Sequence, residues 1–225
     1  MSSIYFNDKD FPSMVNEYVL WVDIMGTKNS MSSSVKTSSF FICRLHAAIL
    51  EAVKKKDIRL YPVMDGAYIT TPSDKNMAEF IKKLFIDLSD TLISEENDYH
   101  RFLVKGALAY GPVTHGREIP DTCCKNFGDN REYVDSILLG MPMIQASKGE
   151  KKAPPFGIFC DESARIASHR FEHRWHKWCV KSRIPKVARA VQSYFDYSLE
   201  HYYELNYPRE KIYEHAEMAK QYFRT

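Results

Sequence analysis

Two short apolar runs, each carrying an aspartate to a turn, constrain the fold of this 225-residue chain more than any other feature of it. The first is Tyr18-Val19-Leu20-Trp21-Val22-Asp23-Ile24-Met25-Gly26. An apolar run of this length that stops at glycine reads as a buried strand. The second run extends from Ile58 to Thr70 and is divided by Asp65-Gly66, at the two-residue spacing of a tight hairpin. A carboxylate inside an apolar strand is costly unless something positive compensates it. If the two strands are neighbours, Asp23 and Asp65 face one place. That place suits one or two divalent cations with oxygen ligands.

The rest of the chain supplies partners for these strands. Phe41, Leu45, Ala48, Ile49 and Ala52 recur at helical spacing ahead of Lys54-Lys55-Lys56, where cations favour a helix dipole. Thr71-Pro72-Ser73-Asp74 signals a turn and a helix start. Met77, Phe80, Ile81, Leu84, Phe85, Leu88 and Leu92 then mark a second amphipathic helix. Phe102 to Gly111 reads as another strand. A polar loop runs from Arg117 to Glu132, a helix from Ile137 to Lys148, and a short strand from Phe156 to Cys160. Strand, helix, hairpin, helix, strand is the order of an α+β fold, a ferredoxin-like βαββαβ core with additions.

Beyond about residue 165 the chain becomes aromatic and charged. Two helices are predicted, Pro185 to Leu205 and Pro208 to Phe223, with Pro208 in a first turn. The expected division is a catalytic core over 1–165 and a helical extension over 166–225, packed on the core or on a partner subunit. His169, His173, His176 and Cys179 imitate a zinc site, but Arg170, Arg174 and Lys177 are interleaved with them. A cation-rich segment is a poor host for Zn²⁺, so it reads as a basic helix facing solvent or a partner.

Hydrophobic residues make up 44% of the chain, enough for a packed core. Lys+Arg is 31 and Asp+Glu is 29, a formal charge of +2, which gives no electrostatic reason to expect nucleic acid or a membrane surface as partner. No apolar stretch approaches the roughly 20 residues of a membrane span. Met1 to Tyr5 lacks the basic-then-apolar pattern of a secretion signal. The five cysteines are an odd number without framework spacing and read as reduced thiols, so a cytoplasmic protein is expected.

Taken in order, three blocks resemble the class III nucleotidyl cyclase catalytic domain, most closely the bacterial antiphage pyrimidine cyclases. Trp21-Val22-Asp23-Ile24-Met25-Gly26-Thr27 is similar to the family's first strand. Val63-Met64-Asp65-Gly66-Ala67-Tyr68 is similar to its metal-bearing hairpin, and Val104 to Val113 to its central Arg-Gly strand. Gly140 to Glu150 matches a fourth segment more loosely. The likeness covers about residues 15–165.

The resemblance implies a homodimer with composite active sites. Asp23, Asp65 and the Ile24 carbonyl would hold two Mg²⁺ or Mn²⁺ ions on a nucleoside triphosphate. Trp21, Met25, Gly26 and Thr27 would lie along the substrate, with Lys28 and Lys148 near its phosphates. Two departures shape the substrate reading. Purine cyclases carry Asn and Arg where this chain has Ile144 and Lys148. Lysine supplies a point charge rather than a fork, and Gln145 is the nearest replacement for the asparagine. The second departure is Tyr61, four residues before Asp65, where adenylyl cyclases usually have Lys and guanylyl cyclases Glu. A phenol suits a pyrimidine, and Lys105 on a neighbouring strand as second reader would favour uracil. The expected activity is conversion of UTP to 3′,5′-cyclic UMP and pyrophosphate, a second messenger in antiphage defence. The alternatives are a cytidylate or purine cyclase and an inactive nucleotide-binding regulator.

Overall fold

The computed structural model describes residues 5–26 and 34–224. Thr27 and Lys28 lie outside the described residues. The chain begins with β1 (Val15–Ile24), α1 (Val35–Ala52), the hairpin β2 (Arg59–Val63) and β3 (Gly66–Thr71), α2 (Asp74–Ser94) and β4 (Val104–His115). Two short helices, α3 (Lys125–Asp129) and α4 (Arg131–Asp135), interrupt the segment read as a polar loop. Next come β5 (Leu138–Gly140), α5 (Met141–Gly149), β6 (Ile158–Cys160), α6 (Glu162–Ala167) and β7 (Trp175–His176). The extension closes with α7 (Ile184–Glu200) and α8 (Arg209–Phe223).

The strands form one sheet in the order β2-β3-β1-β4-β6-β7, with β5 paired to β4 off this path. β1 runs antiparallel to both β3 and β4, and β2 antiparallel to β3. This is the strand order of a βαββαβ core. Alternation along β1 divides its side chains between the two faces. Tyr18, Leu20, Val22 and Ile24 join the main core with Phe41, Leu45 and Ile49 of α1 and Phe80, Leu84 and Leu88 of α2. Val19 belongs to a second cluster with Tyr61, Val113 and Leu138. α5 lies across β1 and β4.

The helices start where local chemistry directs. Ser34 caps α1 by accepting from the Thr37 N–H at 3.2 Å, and Ser73 caps α2 from the Asn76 N–H at 3.2 Å. Each cap contributes about 1 kcal/mol. All seven apolar positions picked out in α2 are buried. At about 1.5–3 kcal/mol per buried large side chain, packing rather than helix propensity holds this element.

The helix predicted from Ile137 begins instead at Met141. Leu138–Gly140 pairs with Val113–His115 as a strand first. Gly140 has φ +155, and a Cβ there would meet the Pro112 carbonyl oxygen at 2.6 Å. Pro142 follows inside the first helical turn, which it can open but not continue. The basic segment is not one helix either. His169–Phe171 is a single 3₁₀ turn and Trp175–His176 a strand paired with β6. Among the described residues no group of three or more His, Cys, Asp or Glu could hold a metal ion. Burial pushes His176 down to about 4 and Cys160 up to about 12.

The extension packs on the core. Val187, Val191 and Phe195 of α7 and Ile212, Ala219 and Tyr222 of α8 belong to the same buried cluster as α1 and α2. Pro208 caps α8 and stands just before its first turn. No described helix is long and apolar enough to cross a membrane.

Candidate active site

The site is built on the three central strands. Asp23 lies opposite Gly66 of β3 on one side and Lys105 of β4 on the other. β2 ends at Val63 and β3 begins at Gly66, so the two loop residues are Met64 and Asp65 rather than Asp65 and Gly66. Met64 takes the left-handed φ of +50 that this tip requires, and its side chain is exposed. Gly66 sits inside the strand for a different reason. A Cβ there would meet the Val22 carbonyl oxygen at 2.4 Å and the Trp21 ring at 2.8 Å. The Trp21 indole lies over this gap and packs on Tyr68, with ring centroids 4.5 Å apart.

Asp23 is under electrostatic load. Its Oδ1 is buried and has no hydrogen-bond partner. Burial, then the charge of Asp65, then the charge of Glu150 push its carboxyl up to about 7. The backbone N–H of Ile24 opposes this only in part. Lys105 does not relieve it, because its Nζ is 2.9 Å from Glu150 Oε1 and both side chains are largely buried. Three carboxylates and one ammonium thus occupy the end of the sheet from which Met25 and Gly26 leave β1.

The donor set fits a hard cation. The three acids interact through their charges without forming a ready cage, consistent with the absence of any three-ligand group among the described residues. Mg²⁺ characteristically takes one or two carboxylates and completes its shell with water and substrate phosphate. Asp23 and Asp65 offer that pair, and the orphaned Oδ1 is the atom a cation would satisfy.

Tyr61 occupies a different part of the sheet. It is buried, and its hydroxyl lies 2.6 Å from His115 Nδ1 with the two rings stacked. His115 Nε2 is 3.3 Å from Glu17 Oε2. Arg59 lies 4.0 Å from Glu17 and 2.8 Å from Glu118. Burial works against the charge on Glu17, yet the neighbouring His115, Thr70 and Arg59 hold its carboxyl below the usual range.

Tyr61 is level with Tyr68, Trp21 and Ala107, whereas Lys105 is level with Asp23 and Gly66. The two are three strands apart and offset by two residues, roughly 15 Å between backbones. Their side chains are committed to different partners, Tyr61 to His115 at the end of β4 and Lys105 to Glu150 just after α5. Within one protomer Tyr61 and Lys105 thus hold different partners.

α5 carries the remaining candidates. Pro142, Ala146 and Gly149 are buried against the sheet, while Met141, Ile144 and Lys148 are exposed at the i, i+3, i+7 positions of one helix face. Ile144 is 49% exposed, so its hydrocarbon side chain is not filling a core position. Exposed Leu139 and Tyr133 precede the same face.

No family model matches the sequence, and no curated protein matches it. Solved structures match its fold. One is the guanylyl cyclase domain of the RhoGC fusion protein from the aquatic fungus Blastocladiella emersonii, solved as a monomeric double mutant. It is 18% identical, with a TM-score of 0.50 over 69% of this chain and 85% of that one. A bacterial light-regulated adenylyl cyclase matches 63% of this chain and 41% of its own, with 15% identity and a TM-score of 0.51. A second structure of a bacterial light-regulated adenylyl cyclase matches 63% of this chain and 71% of its own, at 15% identity and a TM-score of 0.50. The fold is that of nucleotidyl cyclase catalytic domains.

In this cyclase fold the candidate residues separate into three places. Trp21, Asp23, Ile24, Met25, Gly26, Asp65 and Lys105 gather at one end of the sheet. Tyr61 sits in a buried polar network away from them, and Lys148 lies on the exposed face of α5. Sequence reasoning missed Glu150 and His115. Glu150 closes the fourth block, and a lone acid just past a helix end carried no spacing signal. His115 follows a strand predicted to end at Gly111, so nothing tied it to Tyr61.

Proposed function

We propose that the chain is a nucleotidyl cyclase that converts a nucleoside triphosphate to a 3′,5′-cyclic nucleotide and pyrophosphate. The observation that carries this reading is the buried, unpartnered Oδ1 of Asp23, crowded by Asp65 and Glu150 on a cyclase fold. Asp23, Asp65 and the Ile24 carbonyl would hold the cations. When bound, two divalent ions activate the ribose 3′-hydroxyl and neutralise the departing pyrophosphate. The chain's own contribution is positioning and charge. The backbone of Met25 and Gly26 borders the phosphate side. Lys105, next to Asp23 in the sheet, is the cation placed for the phosphates, with Glu150 fixing its direction until substrate competes for it. Trp21, braced on Tyr68, gives the substrate a flat apolar surface.

Lys148 shares the exposed face of α5 with Met141 and Ile144, and we assign that face to a two-fold interface that brings Lys148 to the partner's site. The base is assigned as a pyrimidine, because Tyr61 replaces the charged readers of purine cyclases. UTP is the proposed substrate, and antiphage signalling by cyclic UMP the proposed role. The exposed hydrocarbon of Ile144 favours a second reading, a domain that binds nucleotide without turnover.

Incubation with Mn²⁺ and each of the four ribonucleoside triphosphates, with products identified by mass spectrometry, tests both. Cyclic UMP as the main product supports the first reading in full. A purine product rejects the pyrimidine assignment. Metal-dependent binding of a triphosphate without any cyclic product supports the second reading.

A further inference from the structure

Behind the metal-bearing strand lies a cavity of about 270 Å³, formed where the C-terminal extension meets the core. Its core wall includes Met25 after β1 and Phe41 of α1. Its outer wall is built by the extension, from Tyr194 and Tyr197 of α7, Tyr207 of the connecting turn, and Lys211 and His215 of α8. The volume is several times that of a water molecule and close to the lower range of small-ligand pockets.

The lining has two kinds of chemistry. Tyrosine and phenylalanine rings offer flat apolar faces on which a planar ligand can stack. At one end, positive charge converges. The Tyr207 hydroxyl is hydrogen-bonded to His215 Nδ1. Burial and then the charge of Lys105 push His215 down to about 4 against the opposing charge of Glu214, and Lys105, Lys211 and His215 line the same cavity. The acidic partners of those lysines, Glu150 at 2.9 Å and Glu214 at 2.7 Å, are not part of the cavity lining. Two acids do line it, and each is engaged with a neighbouring base: Asp98 with Arg101, and Glu204 with His201 at 3.0 Å.

We propose that this cavity is a binding site for a small ring-bearing phosphate, with the ring against the tyrosines of the extension and the phosphate between Lys105 and Lys211. A nucleoside monophosphate, a cyclic nucleotide and a simple aryl phosphate share this chemistry. The cavity shares Ile24, Met25, Gly26 and Lys105 with the proposed cyclase site, so the inference rests on that reading, while its ring-binding wall belongs to the extension and needs neither Asp65 nor a divalent cation.

The test is calorimetric titration of the full chain in EDTA with 3′,5′-cyclic UMP, uridine 5′-monophosphate, phenyl phosphate and inorganic phosphate. Ring-bearing phosphates are expected to bind and inorganic phosphate to bind far more weakly. Affinity is expected to fall about ten-fold in Lys211→Gln, the loss of one charge-assisted hydrogen bond. Lys211 is 58% exposed on its helix, so this variant should fold. Tyr197→Leu is expected to weaken the ring-bearing ligands and leave inorganic phosphate unchanged. Tighter binding of the uridine nucleotides than of phenyl phosphate identifies a nucleotide site, and equal binding a general aryl phosphate site. Failure of every ring-bearing phosphate to bind in EDTA overturns the proposal. So does affinity unchanged in both variants, and so does binding that disappears in Asp65→Ala, which would assign the cavity to the metal site. None of these readouts depends on cyclase turnover.

Discussion

Replacing Asp23 by asparagine should stabilise the metal-free protein while abolishing its response to divalent cations. The side chain is nearly isosteric, so packing is kept and the charge removed. Burial, Asp65 and Glu150 raise the carboxyl from the ordinary 3.8 to about 7. At about 1.4 kcal/mol for each pH unit this corresponds to roughly 4 kcal/mol of unfavourable charge burial above neutrality. The side chain is only partly buried, and solvent screening reduces the figure to about 2 kcal/mol. The sign follows from proton binding. The folded state holds a proton that the unfolded state has released between about pH 4 and pH 7, so this contribution lowers stability as pH rises through that window and is constant above it. The amide of Asp23→Asn does not titrate, so the variant lacks this dependence. Urea denaturation in EDTA should therefore show equal stability of parent and variant near pH 4, with the variant about 2 kcal/mol ahead at pH 8. In a chain of this size that is about 4–8 °C in Tm. Added Mn²⁺ should raise the Tm of the parent at pH 8 and leave the variant unmoved. A variant less stable than the parent at pH 8, or one stabilised by Mn²⁺ as strongly as the parent, would refute the reasoning.

Other changes bear on separate parts of the site. Gly66→Ala places a Cβ 2.4 Å from the Val22 carbonyl oxygen and should cost about 3 kcal/mol or more, visible as a large drop in the urea midpoint; a midpoint within error of the parent would show that the strands can part there. Lys105→Met leaves Glu150 unpaired among Asp23 and Asp65, so stability should fall by about 1–3 kcal/mol and cyclisation should be lost; normal kcat with only a raised KM would move Lys105 out of the reacting region. Tyr61→Phe leaves His115 Nδ1 without its hydrogen-bond partner, so stability should drop by about 1–3 kcal/mol and the kcat/KM ratio of UTP to CTP should change; a stable variant with the parental ratio separates Tyr61 from both roles. Mixing Asp23→Ala and Lys148→Ala subunits should restore activity absent from either alone, and failure to do so while the subunits exchange argues against shared sites.

The elements with long periodic patterns were legible in the sequence, and short or bent ones were not. The i, i+3, i+4 spacing in α2 picked out seven positions that are all buried. β1 was legible because one apolar run fills both faces of a central strand. Leu138–Gly140 is three residues long, too short to show alternation, and its apolar character merged with the helix that follows. The hairpin placed Asp65 correctly at a turn but shifted the loop by one residue, since Asp-Gly is also the pair that favours a tight turn. The placing of Asp23 and Asp65 beside one another was legible because both follow from strand ends. The separation of Tyr61 from Lys105 was not, because it depends on β3 and β1 lying between β2 and β4. Only that topology reveals that residues on two strands of one sheet serve different places.

The most direct test follows cyclic nucleotide and pyrophosphate together in one reaction, with Mn²⁺ and the preferred triphosphate, for the parent and for Asp65→Ala. The expected result is equal molar amounts of 3′,5′-cyclic nucleotide and pyrophosphate from the parent, and neither from the variant, whose fold should be intact by circular dichroism. Release of nucleoside monophosphate in place of the cyclic product, or undiminished cyclisation by Asp65→Ala, would contradict a cyclase built on the Asp23 and Asp65 carboxylates.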